Sequence, residues 1–152
     1  MLSTQLRTHT CNDLTKKEKG NETTLCGWVN TRRDHGGIIF IDLRDKYGLT
    51  QIVIDPEKCS KDAFKTSEQL RREDVIQVTG KVELRKEGMT NPKLATGEVE
   101  VFVSSIKVLA KSETPPLEID DRIVANDDIR LEYRYLDLRR PVMQQNLILR
   151  HN

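Results

Sequence analysis

The sequence predicts a mainly β fold, a five-stranded barrel with one helix between the third and fourth strands, and three observations predict it. Apolar residues recur with a period of two in five runs, near 23–31, 37–44, 49–54, 75–84 and 98–108. One stretch between the third and fourth runs, residues 60–73 (SKDAFKTSEQLRRE), abandons that period and sets Ala63, Phe64 and Leu70 behind Ser60, a residue type that caps helices. The resulting order, β-β-β-α-β-β, is that of the OB-fold, a partly open barrel whose second and third strands bind oligonucleotides together with the loops joining strands 1–2 and 4–5.

Each element has its own warrant. The first run ends in a basic, glycine-containing corner, so Arg32, Arg33 and His35 are expected in the loop before strand two. On strand two, alternation sends Ile39, Ile41 and Leu43 to one face and Phe40, Asp42 and Arg44 to the other. A phenyl ring among charges on a solvent face is a stacking platform. On strand three, Gln51 shares parity with Leu49 and Val53, so the pattern alone does not decide its face. Strand four opposes Ile76, Val78, Val82 and Leu84 to Gln77, Thr79, Lys81, Glu83 and Arg85, and strand five opposes Val99, Val101 and Val103 to Glu98, Glu100 and Phe102. Arg85 through Asn91 fall in the second of the binding loops. A single-stranded RNA needs an aromatic for a splayed base, amides or guanidinium groups for base edges, and cations for its backbone, and these residues supply all three.

Beyond residue 110 the character changes. The expected organisation is a barrel over 1–110, a linker over 111–128 (KSETPPLEIDDRIVANDD) and a short helical tail over 129–152. The tail sets Ile129, Tyr133 and Leu136 on one stripe, and Pro141 suits the first turn of a second helix, where its missing N–H costs nothing. It carries too little apolar surface to fold alone and reads as a hinge into something larger.

Composition narrows the function classes. In 152 residues, 36% apolar and 32% charged, alternation between charged segments fits a folded domain better than disorder. No run approaches the roughly 20 apolar residues of a membrane span, and the leading MLSTQLRTHT lacks the apolar core of a secretory signal. Cys11, Cys26 and Cys59 are odd in number and scattered, against a disulfide framework or zinc site and in favour of a reducing, cytoplasmic setting in which they pack as small apolar groups. A net charge of +1 argues against indiscriminate phosphate binding and for a local, shaped interface. No phosphate-binding glycine loop, nucleophile with a partner base or metal-ligand cluster is evident, so no catalytic residue, metal or cofactor is assigned. His9 and His151 read as surface groups, and Trp28 as a packing residue.

Four strings, RTHTCNDL at 7–14, LCGWVNTRRDHGGIIFIDLRDKYGLTQIV at 25–53, VTGKVELRKEGMTNPKLATGEVEV at 78–101 and YRYLDLRRPVMQQNL at 133–147, resemble the N-terminal region of bacterial-type aspartyl-tRNA synthetases, in the family's order and spacing. The resemblance implies an anticodon-binding domain for aspartate tRNA, cut short of the class II catalytic domain that uses ATP and magnesium. It implies that Phe40 stacks on the central uracil, Gln51 reads that base's edge, Arg33 contacts the anticodon region, Arg85 reads the third base and Glu100 the first, guanine or its queuine derivative. Asn91 is implied as a supporting contact. Histidine at His35, with glycine at Gly88, is associated within the family with enzymes that also accept asparagine tRNA. The parent is expected to be a cytoplasmic homodimer and the fragment a monomer.

Two rivals remain open on the residues alone. One is a generic single-stranded nucleic-acid-binding barrel in which stacking dominates. The other is a protein-interaction module with Phe40 as its anchor. Salt separates them, because phosphate contacts weaken steeply as salt rises.

Overall fold

One long strand closes the sheet on itself. In the computed structural model, which describes residues 6–122 and 125–152, β1 (Glu22–His35) pairs antiparallel with β4 (Val75–Leu84) along Glu22–Trp28 and with β2 (Ile38–Arg44) along Trp28–His35. β3 (Leu49–Ile54) pairs antiparallel with β2, and β5 (Val99–Ala110) with β4. A short parallel contact, Ile52 opposite Val101 and Val53 opposite Phe102, completes the closed barrel in the order β1-β2-β3-β5-β4.

Alternation decides what fills it. Ile39, Ile41 and Leu43 of β2 are fully buried, while Phe40, Asp42 and Arg44 between them stay half-buried. Ile76, Val78 and Val82 of β4 and Val99, Val101 and Val103 of β5 face the same core. Leu84 departs from the expected inner face and is exposed, because β4 ends there and the chain leaves for the next loop.

Arg32, Arg33 and His35 are strand residues, not loop residues as the sequence suggested. Gly36 and Gly37 both have positive φ (64° and 87°), as the central pair of a type I′ turn requires, so two residues suffice to reverse the chain. The ladder therefore continues through Arg33↔Phe40 to His35↔Ile38.

The helix α1 spans Lys61–Glu68, and the Ser60 hydroxyl accepts from the Ala63 amide at 3.1 Å, the cap expected of it. It stops short of residue 73. The Gln69 and Leu70 amides fold back onto Thr66 and Ser67, and Glu73 takes φ 68° to return the chain toward β4. That turn delivers the Glu73 carboxylate to Arg44, whose Nη2 lies 2.7 Å from Oε2 and whose guanidinium also covers Trp28.

Asp45 helps to fasten the segment before β1, as do Thr50 Oγ1 on Cys11 O and Gln77 Nε2 on Leu6 O. Asp45 accepts from the Cys11 amide at 2.9 Å and from the Tyr47 and Gly48 amides at 2.7 and 3.0 Å, and it pairs with Arg7 at 3.1 Å. It thereby shapes the β2–β3 turn and seats Cys11 and Leu14 in the core. Only Cys11 is buried as expected. Cys26 and Cys59 are half-buried, all three thiols are free, and burial raises the pKa of each. His9 is half-buried too and bonds the hydroxyls of Thr8 and Thr23, while His151 is exposed.

The chain divides into two compact units, Met1–Glu113 and Thr114–Asn152. In the second, α2 (Asp127–Glu132), α3 (Arg134–Asp137) and α4 (Pro141–His151) follow in succession. Ile129, Tyr133 and Leu136 are half-buried, in keeping with the expected stripe. Pro141 opens α4, and Asp121 caps it by accepting from the Val142 amide at 3.1 Å. The buried Asp137 gathers Arg130, Arg134 and Arg140 at 3.2, 2.9 and 2.8 Å. Readings of the leading segment and the linker fall partly on residues 1–5 and 123–124, which lie outside the described residues. Among the described residues no helix is long and apolar enough to cross a membrane, and no group of three His, Cys, Asp or Glu is placed to hold a metal.

Candidate nucleic-acid interface

The register lays two transverse rows of outward side chains across the barrel. In one, Arg33 of β1 stands opposite Phe40 of β2, Phe40 opposite Val53 of β3, Val53 opposite Phe102 of β5 and Phe102 opposite Lys81 of β4. In the next, Thr31 stands opposite Asp42, Asp42 opposite Gln51, and Glu100 opposite Glu83. Gln51 Nε2 donates to Glu100 Oε2 at 2.9 Å, which joins the second row across the β3–β5 seam.

The face is wired before any ligand arrives. Arg33 Nη2 donates to both oxygens of Asp42 at 3.0 and 3.1 Å, and Thr31 Oγ1 donates to the same carboxylate. His35 meets Phe40 edge-on, ring centroids 5.8 Å apart. The Arg32 Nε turns the other way and donates to Ser67 O near the end of α1, so Arg32 serves the fold.

Glu100 is only 9% exposed. Burial raises its pKa, while the Gln51 hydrogen bond and the Arg85, Lys86 and Lys58 charges oppose that rise. Arg85 leaves the end of β4, its Nε donating to Val99 O at 3.1 Å. Burial lowers its pKa against the raising influence of Glu100 and Asp42. Among the described residues, Arg85 Nη2 is a buried side-chain nitrogen with no hydrogen-bond partner. An orphaned guanidinium N–H is costly to leave unmade, and an acceptor on a ligand would satisfy it.

Of the seven site residues named from the sequence, Arg33, Phe40, His35, Gln51 and Glu100 converge on this face, and Arg85 couples to it through the Glu100 charge. Asn91 stays apart. Its amide donates to Gly97 O at 2.9 Å and its Oδ1 accepts from Lys93 N at 3.1 Å, so its contacts build its own loop. Gly97 makes that loop possible, because a Cβ there would fall 1.8 Å from Asn91 O.

Sequence reasoning did not single out Asp42, Phe102 or Lys58. Phe102 is a second half-buried ring on the face, with Lys58 Nζ 4.2 Å from its centroid. Its parity with Glu100 was the available signal. Nothing in the sequence brings Lys58, from the turn after β3, to β5.

Comparison with known proteins agrees with this fold. The family described as OB-fold nucleic acid binding domain, tRNA anti-codon, matches residues 23–109. A curated aspartate–tRNA(Asp/Asn) ligase of Protochlamydia amoebophila is 56% identical over 146 residues, covering 95% of this chain and 24% of that protein. One of Desulfatibacillum aliphaticivorans is 50% identical over 151 residues, covering 99% of this chain and 25% of its own length. The chain thus spans about a quarter of the curated relatives it matches. The solved asparaginyl-tRNA synthetase of Pyrococcus horikoshii superposes with a TM-score of 0.75 at 28% identity, over 90% of this chain and 30% of that one. The barrel and the match across 23–109 together show that the chain belongs to the tRNA anti-codon family of OB-fold nucleic acid binding domains.

Proposed function

We propose that this domain reads the anticodon GUC, or its queuine form, of aspartate tRNA as part of an aspartate–tRNA ligase. The observation that carries the reading is the outward face on which a stacking ring, Phe40, stands beside the hydrogen-bonded Gln51–Glu100 pair. The central uracil stacks on Phe40, and the Gln51 amide offers it a paired donor and acceptor. Glu100 accepts from guanine N1–H and N2–H. The unpartnered Arg85 nitrogen donates to cytosine O2 or N3. Arg33, anchored on Asp42, contacts the backbone beside the loop, and Asn91 supports the Arg85 loop.

Relatives named aspartate–tRNA(Asp/Asn) ligase support a wider specificity that includes asparagine tRNA, with His35 against Phe40 as the distinguishing residue. The two tRNAs differ at the third anticodon base, so reading there is relaxed. In the whole ligase ATP and magnesium serve amino-acid activation, and no residue of this chain is assigned to them. A cytoplasmic, homodimeric parent in which residues 129–152 act as a hinge completes the proposal, with the present fragment a monomer.

Binding of the chain to fluorescent anticodon stem-loops tests this. GUC should bind best, and Phe40→Ala or Gln51→Ala should each cost about 5- to 150-fold, the worth of one stacked or doubly bonded base. A GUU loop should bind within about tenfold of GUC, and a gap of about a hundredfold or more would refute the dual specificity. Equal affinity for every loop would refute anticodon reading altogether.

A further inference from the structure

Phe102 and Lys58 form an aromatic–cation pair that the roles above leave unused. Phe102 sits half-buried on the outer face of β5, two residues from Glu100 and on the same side of the strand. It lies in the same transverse row as Phe40, with Val53 between them. The two rings are therefore two strand spacings apart, on the order of 10 Å. Bases stacked in a helix are about 3.4 Å apart, so neither ring duplicates the other, and two bases seated on them would have to be splayed. Splayed, unstacked bases are the form in which single-stranded loops are read.

The geometry around the two rings corresponds. Gln51 stands opposite Asp42, one row beyond Phe40, and Glu100 stands one row beyond Phe102 on the same side. Each ring thus has a polar edge-reader placed one row away. Cations flank the second ring: Lys58 Nζ lies 4.2 Å from its centroid, and the exposed Lys81 is its partner on β4. An exposed ammonium holds a ring weakly. A nucleotide offers the ring a larger stacking surface and offers the ammonium a phosphate.

We propose that Phe102 is a second base-stacking platform, the floor for the first anticodon base whose edge Glu100 reads, and that Lys58 leaves the ring for an RNA phosphate when that base arrives. This rests on the anticodon reading above. It makes the interface a two-platform site that seats a purine at Phe102 and a pyrimidine at Phe40, each ring coupled to its own reader.

The test is a pair of mutant cycles using the intact chain and three stem-loops: GUC, GUC with an abasic first position, and GUC with an abasic central position. Phe102→Ala should weaken binding of the full loop about tenfold and leave binding of the loop lacking the first base unchanged, while Phe102→Trp should retain affinity. Phe40→Ala should show the same pattern against the loop lacking the central base. Lys58→Ala should make the slope of log K against log salt shallower by about 0.7. Equal losses from Phe102→Ala on the full and first-position-abasic loops, with or without a lower melting temperature, would overturn the proposal, as would no loss on either. A working Phe40 cycle beside a flat Phe102 cycle overturns this inference alone. Flat cycles at both rings overturn the anticodon reading with it.

Discussion

Replacing Glu100 by glutamine should move stability and affinity in opposite directions. The Glu100 carboxylate is almost wholly buried and, among the described residues, accepts a hydrogen bond from Gln51 Nε2 at 2.9 Å. Burial raises its pKa against the pull of Gln51 and Arg85. Because the folded-state pKa lies above the unfolded value near 4.3, the stability contributed by protonated Glu100 is fully present below about pH 4.3 and is lost as pH rises through the folded value. At neutral pH the barrel therefore carries a desolvated charge. Glu100→Gln removes that charge and keeps an acceptor for Gln51. The gain is limited because Arg85, which bonds Val99 O and not Glu100, loses a nearby countercharge. The net should lie between zero and about 1 kcal/mol in favour of the variant at pH 7. Toward RNA the same change is harmful. A carboxylate accepts two guanine N–H groups, whereas an amide accepts one and sets its own NH2 against the other. That costs about 1–3 kcal/mol, a loss of about 5- to 150-fold in preference for guanine over adenine at the first position. Urea unfolding followed by Trp28 fluorescence between pH 4 and 8 should show a decline in stability on the rising-pH side that the variant lacks. Fluorescence anisotropy with GUC and AUC loops should show wild-type guanine preference fading as pH falls through the folded pKa and absent in the variant. A variant less stable by more than about 1 kcal/mol, or one that keeps the guanine preference, would refute this account of Glu100.

Two further predictions concern buried carboxylates, one holding backbone amides and the other arginine side chains. Asp74→Ala deprives the Arg71 and Ser112 amides of acceptors now at 2.9 and 2.8 Å and should lower urea-unfolding stability by about 2–4 kcal/mol. Burial alone would raise the Asp74 pKa, but those amides and Lys111 outweigh it and hold it down, so its stabilisation is present above the unfolded value near 3.9 and lost as pH falls through the folded one. The wild type should lose stability in that acid window and the variant should lose less of it. Asp137→Ala removes the 2.8 Å partner of the buried Arg140, which keeps only the 3.2 Å pair with the more exposed Asp121, a defect of about 1–3 kcal/mol, and should appear as lost helical circular dichroism and new trypsin cleavage within residues 130–150. Unchanged helicity and cleavage would show that the Asp137 cluster does not hold that unit together.

The strands were legible because a barrel wall that is buried on one side forces alternation, and β2 and β4 carry it without interruption until Leu84. Register was not legible. Whether Arg33 faces Phe40 depends on how many residues the Gly36–Gly37 turn consumes, and a one-residue difference would turn every side chain of the hairpin over. The end of α1 was missed for a similar reason. The run from Ser60 to Glu73 keeps helical composition throughout, but the tertiary demand for Glu73 at Arg44 turns the chain early. Of the site, the residues on β2 could be read from parity alone. The Gln51–Glu100 bond could not, because it crosses the parallel β3–β5 seam that exists only once the barrel closes.

On the proposed anticodon reading, that seam also bears on how a nearly neutral domain would be selective. With a net charge of +1, long-range attraction to phosphate is weak, so discrimination must come from the cost of leaving polar groups unpaired. Arg33 is satisfied by Asp42 and Gln51 by Glu100, while among the described residues Arg85 Nη2 has no partner. On the proposed reading a correct anticodon would replace the Gln51–Glu100 bond with bonds from its central and first bases and supply, at its third, the acceptor that Arg85 Nη2 lacks. An incorrect central or first base would break the Gln51–Glu100 bond without replacing it. Penalties of that kind grow with burial, and Glu100 is only 9% exposed, with Gln51 and Arg85 half-buried. The site therefore needs few charges to choose among bases, and additional surface lysines would strengthen binding to every loop without sharpening the choice between them.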